Sequence, residues 1–125
     1  MIRLPNTTIK LQIVLGGAVT TNQLKITCGC IDQNPQNEFT RGGQQQATSN
    51  STTDVDLVSA LGTGKDNYVR NIDSIFVYNR DTVSATVIIK TDDGGTEFEI
   101  VRRTLLTLET LAYEHGVGWY IMSVT

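Results

Sequence analysis

Apolar and polar residues alternate along the middle of the chain. Within the segment 82–91 the apolar positions are Val83, Ala85, Val87 and Ile89, and the polar ones are Ser84, Thr86 and Lys90. Successive side chains point to opposite faces of a strand, so this spacing predicts a strand with one buried and one solvated face. The pattern builds a sheet and supplies no reactive group.

Similar patterns, separated by turn residues, recur on both sides of this strand. Further strands are predicted at Ile9–Leu15, Leu24–Ile31, Asp54–Ala60, Val69–Asn79, Thr96–Arg103, Leu111–Tyr113 and Trp119–Val124. The first two are expected to form a hairpin through Thr21-Asn22, and the last two a hairpin through a Gly-rich turn. Seven or eight short antiparallel strands predict an all-β fold, either a β-sandwich or a jelly roll.

The segment Thr104–Glu114 carries two competing patterns. Leu105, Leu108 and Leu111 recur at helical spacing, but strand patterns flank the segment on both sides. One short helical turn therefore remains an alternative to continued strand here.

A long polar segment, Asp32–Thr53, interrupts the strand patterns and has only Phe39 as a large apolar residue. Loops of this length are uncommon in compact domains and are either functional or disordered. The segment is predicted as a mobile surface loop or as an arm that orders against a neighbouring subunit. The length of 125 residues suits a single domain spanning 1–125.

Composition narrows the functional classes. The net charge of −3 and the pI near 5.0 argue against nucleic-acid binding, which normally requires a basic face. The apolar run Ile9–Val19 is too short and too polar for a membrane span or a secretory signal. Synthesis in the cytoplasm, without a membrane partner, is expected.

Candidate chemistry is sparse. Cys28 and Cys30 share a strand face with apolar neighbours and are predicted as buried core residues. A structural zinc site would need two further Cys or His ligands, and the sequence offers only His115. His115 lies in a Gly-rich turn and is predicted to be exposed. The segment Gly62–Asp66 resembles a phosphate-binding loop but has Ser59 and Asp66 at positions that require Gly and Ser or Thr. No enzyme activity, cofactor or metal is predicted.

The strand Val69–Asn79 is apolar on both sides. Phe76 and Tyr78 are expected on the face of Ile72, and Ile75 and Val77 on the other. Such a strand is either central in a sandwich core or part of an oligomer interface.

Several stretches of the chain resemble small structural proteins of tailed bacteriophages. The resemblance is carried by Val69–Val87, Asp93–Thr96, Glu109–Glu114 and Gly116–Trp119, with Leu15–Leu24 similar to their N-terminal hairpin. The shared pattern is a strand ending in Asn, an Asp-Thr-Val turn, a Gly-Thr hairpin and a closing Glu-Thr-Leu … Gly-x-Gly-Trp hairpin. One departure is Thr107-Leu108, where such proteins often have Pro-Gly.

The resemblance implies a virion protein without catalytic activity, most simply a capsid decoration (cement) protein. It implies the major capsid protein or other virion proteins as partners, and a homo-oligomer, either dimer or trimer. The contact residues expected in the N-terminal segment and the polar arm are Arg3, Leu4, Pro5, Phe39, Arg41, Gln44, Gln45 and Gln46. The alternative is a tail, connector or fibre module that binds a receptor or carbohydrate. An exposed cluster of Tyr113, Trp119 and Tyr120 would favour that alternative. Burial of Trp119 would favour the structural virion protein.

Overall fold

The fold is all-β, as predicted, with more strands than expected. A computed structural model describes residues 2–123, except for the side chains of residues 41–44. Its strands are β1 (Ile2–Leu4), β2 (Ile9–Leu15), β3 (Lys25–Gln33), β4 (Phe39–Thr48), β5 (Val55–Val58), β6 (Val69–Tyr78), β7 (Ala85–Asp93), β8 (Thr96–Leu105), β9 (Thr110–Glu114) and β10 (Gly118–Met122). Within residues 2–123 there is no α-helix.

The strands form two antiparallel sheets. The six-stranded sheet has the order β10-β9-β6-β3-β4, and β1 pairs with the first part of β6 along the edge that β9 occupies further on. The four-stranded sheet has the order β5-β2-β7-β8. One hydrophobic core lies between them and contains residues from both sheets, as expected for a sandwich. Its fully buried side chains include Leu11, Ile13, Leu24, Ile26, Ile72, Ile75, Val77, Ile89, Leu105 and Leu111.

The predicted N-terminal hairpin is wrong. The strand β2 pairs with β5 and β7, whereas β3 pairs with β4 and β6 in the other sheet. The residues between them therefore cross from one sheet to the other. The predicted β7–β8 and β9–β10 hairpins are confirmed.

The prediction of a loop or arm over residues 32–53 is also wrong for most of the segment. Asp32 and Gln33 end β3, a turn follows, and Phe39–Thr48 return as the edge strand β4. The turn is built by Asn34, whose side-chain oxygen accepts hydrogen bonds from the backbone N–H groups of Gln36 and Glu38 at 3.0 and 2.8 Å. A strand that contributes backbone pairing needs few apolar residues, so composition alone did not reveal β4.

The segment Thr104–Glu114 is strand, turn and strand, and the helical alternative is wrong. Leu105 and Leu111 are both fully buried, but they belong to different sheets. Between them the N–H of Glu109 donates to the carbonyl of Leu106 at 3.1 Å, and Leu108 has a φ of 68°. The leucine spacing thus reflects a chain that turns from one sheet to the other.

Candidate interaction surface

The carboxylate of Asp81, which follows β6, is held by several backbone N–H groups. It lines a pocket of about 240 Å³ together with residues of the 15–19 segment. Its two oxygens accept hydrogen bonds at 2.8–3.0 Å from the backbone N–H groups of Thr20, Thr21, Asn22 and Thr82. These bonds lower its pKa from 3.8 to about 2. A carboxylate held ionised by four donors fastens the backbone and is a poor general base.

Asn79 completes this turn from the other side. Its side chain is fully buried, and its amide nitrogen lies 3.1 Å from the carbonyl oxygens of Val83, Leu105 and Leu106. Its side-chain oxygen accepts a hydrogen bond from the N–H of Asp81 at 3.0 Å. The segment 79–82 therefore has a structural role, because its side chains tie both sheets together at one end of the sandwich.

The two cysteines and the histidine lie in different parts of the fold: the cysteines are in the core and His115 is in a surface turn. Cys28 is buried as expected, and desolvation raises its pKa to about 12. Burial also raises the pKa of Cys30. His115 is exposed, as predicted, in the β9–β10 turn, where its backbone N–H donates to the carbonyl of Asp73 at 2.9 Å. Among residues 2–123 no three His, Cys, Asp or Glu side chains are grouped to hold a metal ion.

Ion pairs within the chain cover much of the outer face of the four-stranded sheet. They join Lys10 to Asp56 at 3.3 Å, Lys90 to Asp54 at 2.8 Å and to Glu97 at 3.0 Å, and Arg102 to Glu99 at 2.7 Å. Lys90 and Gln12 are more than nine-tenths buried among these groups, and Gln12 donates to Asp56 at 2.8 Å. Charged side chains that already have partners on the same chain gain little from a protein partner.

The outer face of the six-stranded sheet has the opposite character, and we call it the aromatic face. Strand register places two cross-strand rows there: Met122, Thr110, Tyr78, Lys25 and Thr48 in one, and Tyr120, Ala112, Phe76, Thr27 and Gln46 in the other. Tyr78 is 38% and Met122 42% exposed. Tyr120 donates a 2.8 Å hydrogen bond to Glu114, which raises the pKa of Tyr120. Aromatic and methionine side chains on an exposed sheet face are typical of protein interfaces.

A β-bulge explains why the sequence misassigned part of this face. Cys28 pairs with Ile75, but Cys30 pairs with Ile72, so Asp73 is an extra residue in β6. The bulge reverses the alternation, and Ile72 lies in the core while Phe76 and Tyr78 lie on the outer face. The prediction that these three residues share a face is wrong. The apolar residues on both sides of this strand were the available signal in the sequence.

Three of the eight predicted contact residues have described side chains at positions of the aromatic face. Arg3 pairs with Asn71, and Phe39, which is 66% exposed, pairs with Gln33. Gln46 is exposed in the Phe76 row. The backbones of Arg41 and Gln44 pair with Ile31 and Gly29 in the same sheet, but their side chains lie outside the described part of the chain.

The other predicted contact residues lie elsewhere. Leu4 is fully buried in the core, so its assignment as a contact residue is wrong, since β1 alternates and turns Leu4 inward. Gln45 pairs with Cys28 and belongs to the inner side of β4. Pro5 is exposed just after β1 and outside the strand rows.

The Tyr113–Trp119 pair does not form an exposed aromatic cluster. Tyr113 is 6% exposed, and Trp119 is half-buried against the core, with ring centroids 5.0 Å apart and planes at 47°. Tyr120 lies on the other face of β10. The three aromatic residues of the closing hairpin are therefore divided between the core and the aromatic face.

Comparison with models of protein families, with characterised proteins and with solved structures finds no significant match. No helix within residues 2–123 is long and apolar enough to cross a membrane.

Proposed function

We propose that this protein is a non-catalytic structural component of a tailed-phage virion, a capsid decoration protein. It docks with its aromatic face on the lattice of the major capsid protein and stabilises the head by bridging neighbouring subunits. The resemblance of the turn and hairpin motifs supports the virion assignment. The aromatic face supports docking as the mode of action.

The observation that carries this proposal is the difference between the two outer faces. On the four-stranded sheet the charged side chains neutralise one another within the chain. On the six-stranded sheet Tyr78, Met122 and Phe39 expose apolar surface on the face that also carries Lys25 and Arg3. A capsid surface that presents apolar and acidic side chains would complement this mixture, and burial of aromatic side chains gives much of the binding energy at such interfaces.

The position of Trp119 favours decoration over the receptor- or carbohydrate-binding alternative. A sugar site would need planar aromatic rings presented to solvent, but Tyr113 and Trp119 pack into the sandwich edge. The aromatic side chains that remain accessible lie across several strands of one sheet. A broad, shallow surface of this kind suits a protein partner better than a small ligand.

The experiment uses particles of the phage that encodes this chain, assembled without it and then incubated with purified protein. We expect Tyr78→Asp to lower occupancy at least tenfold, because it replaces an exposed aromatic side chain of the docking face by a charge. Occupancy is measured by quantitative mass spectrometry of sedimented particles, and folding by far-UV circular dichroism. Wild-type protein should reach hundreds of copies per particle.

Thr86→Asp is the matched control, since it adds the same charge to the outer face of the opposite sheet, where Thr86 pairs with Thr104. It should bind as the wild type does. Equal occupancy of wild type and folded Tyr78→Asp would overturn docking by the aromatic face. A handful of copies per particle would overturn decoration in favour of a connector, tail or fibre position.

A further inference from the structure

The strand β8 is a long edge strand. It pairs with β7 along one side, and within residues 2–123 no strand pairs with its other side. It spans ten residues, and its exposed large apolar side chains include Phe98 at 66% and Ile100 at 38%. A sheet edge offers unpaired backbone N–H and C=O groups to any strand that can approach it. The edge strands β5 and β10 span only four and five residues, and the edge strand β4, which also spans ten, does not carry charges of both signs as β8 does.

The charges of β8 are divided between its two halves. Glu97 and Glu99 lie in the first half, and Arg102 and Arg103 in the second. An antiparallel partner with the same sequence would bring its basic half beside the acidic half of β8, and the reverse. Such a strand is complementary to itself about a two-fold axis.

A bulge in β8 decides which side chains of its two halves lie on the same face of the sheet. Lys90 pairs with Glu99 and Ile89 with Val101, so Ile100 is an extra residue in the middle of β8. Glu99 and Arg102 consequently share the outer face of the sheet although they are three residues apart. Bulges often protect sheet edges from pairing, but this one is central and leaves a regular segment on either side.

We infer that two copies of this chain associate through antiparallel pairing of β8 about a two-fold axis near the Ile100–Val101 bond. The two four-stranded sheets then become one continuous sheet across the dimer. On the outer face, Glu99 of one copy lies opposite Arg102 of the other.

On the inner side of the same sheet, Phe98 pairs with Arg103 of the second copy. Within one chain Phe98 lies opposite Thr91 and Arg103 opposite Val87, which places both on the core side of β8, and both are nevertheless exposed. An arginine side chain stacked on an aromatic ring is a favourable contact that covers apolar surface. The dimer thus gives a partner to side chains that a single chain leaves in solvent.

The test uses paired charge reversals and needs no capsid. Glu99→Arg places like charges opposite each other in the homodimer, and so does Arg102→Glu, so we expect each variant to weaken dimerisation at least tenfold. An equimolar mixture of the two variants should form a heterodimer, because both contacts then join opposite charges. At one contact Arg at position 99 of the first variant meets Glu at position 102 of the second, and at the other Arg102 of the first variant meets Glu99 of the second. Association is measured by sedimentation velocity up to about 100 µM, which populates any complex with a Kd below that concentration.

This design separates contacts between chains from those within one chain. Glu99 and Arg102 already form a 2.7 Å ion pair in each chain, and neither single variant can restore it in the mixture. Recovery of a dimer in the mixture alone therefore reports the contact between copies. Lys65→Glu, an exposed reversal in the β5–β6 connection, is the control and should dimerise as the wild type does.

A wild-type protein that remains monomeric at about 100 µM would overturn the proposal, as would a dimer insensitive to both reversals. A mixture that stays monomeric would do the same. Since the aromatic face takes no part in this contact, failure here leaves capsid docking standing, and failure of capsid docking leaves this dimer standing.

Discussion

Asp81 shows how a single carboxylate can fasten distant parts of a chain. Four backbone N–H groups, three of them in the β2–β3 connection, converge on its two oxygens. The hydrogen bonds favour the ionised form and lower the pKa from 3.8 to about 2. In the unfolded chain those donors are lost and the pKa returns to its ordinary value.

This difference predicts a specific dependence of stability on pH. Asp81 contributes stability that is fully present above its unfolded pKa of 3.8 and is lost as pH falls through its folded pKa of about 2. Between these values the unfolded chain binds up to about one more proton than the folded protein. We expect Asp81→Asn to be less stable than the wild type at neutral pH and the two stabilities to converge as pH falls toward 2, measured by urea unfolding followed by Trp119 fluorescence.

Asp66→Asn is the control because it removes the same charge from an exposed turn. It should keep the wild-type dependence of stability on pH. Parallel stability curves for wild type and Asp81→Asn across this acid range would contradict the assigned role of the carboxylate.

The residue scale also marks a limit of sequence reasoning. The sequence predicted that turn residues separate the strand Val69–Asn79 from the next strand, and the chain bends at residues 81–83. It did not predict that Asp81 bonds to Thr20–Asn22, because those partners lie about sixty positions away and no local pattern identifies them. The same holds for the buried side chain of Asp32, whose 2.8 Å ion pair with Arg70 depends on the pairing of β3 with β6.

At the scale of elements, the turn between β8 and β9 contains a strained residue. Leu108 has a φ of 68°, a left-handed conformation that costs a residue with a Cβ atom about 1 kcal/mol or more. The structure requires left-handed backbone where the sequence has leucine.

We expect Leu108→Gly to raise the free energy of unfolding by up to about 1 kcal/mol, because the steric cost it removes is larger than the backbone entropy that glycine loses on folding. The side chain is 44% exposed, so little burial is lost. Leu106→Gly, in the same turn and 61% exposed, is the control and should lower stability, since Leu106 lacks a positive φ. Chemical denaturation measures the free energy of unfolding of both variants. A Leu108→Gly variant less stable than the wild type would contradict the claim that Leu108 is strained.

Elements with strong alternation were predictable, and those that depend on pairing were not. The strands β2, β7 and β10 follow from their own patterns. The strand β4 has an uncharged, amide-rich sequence, and its extended form comes from pairing with β3. The bulges in β6 and β8 left no pattern that a single sequence shows, yet they decide which side chains form the aromatic face and which lie at the β8 edge.

For the whole molecule, the chain crosses repeatedly between the two sheets. The strands β1, β3, β4, β6, β9 and β10 belong to one sheet and β2, β5, β7 and β8 to the other. Neither sheet consists of one continuous part of the chain, and both contribute to one core. Each sheet therefore depends on the other for its burial, and an independently stable half is not expected.

This arrangement predicts a single cooperative unfolding transition. Ile89 is fully buried at the centre of the four-stranded sheet, whereas Trp119 lies at the edge of the six-stranded sheet. We expect Ile89→Ala to lower stability by about 3 kcal/mol through the cavity it leaves, and to shift the Trp119 fluorescence transition and the far-UV circular dichroism transition by the same amount. Val83→Ala, which removes methyl groups from a side chain that is 44% exposed, should leave both transitions close to the wild type. If Ile89→Ala shifted the circular dichroism transition but left the Trp119 transition in place, the two sheets would be separate folding units, and the rigid sandwich on which both proposed interfaces depend would have to be abandoned.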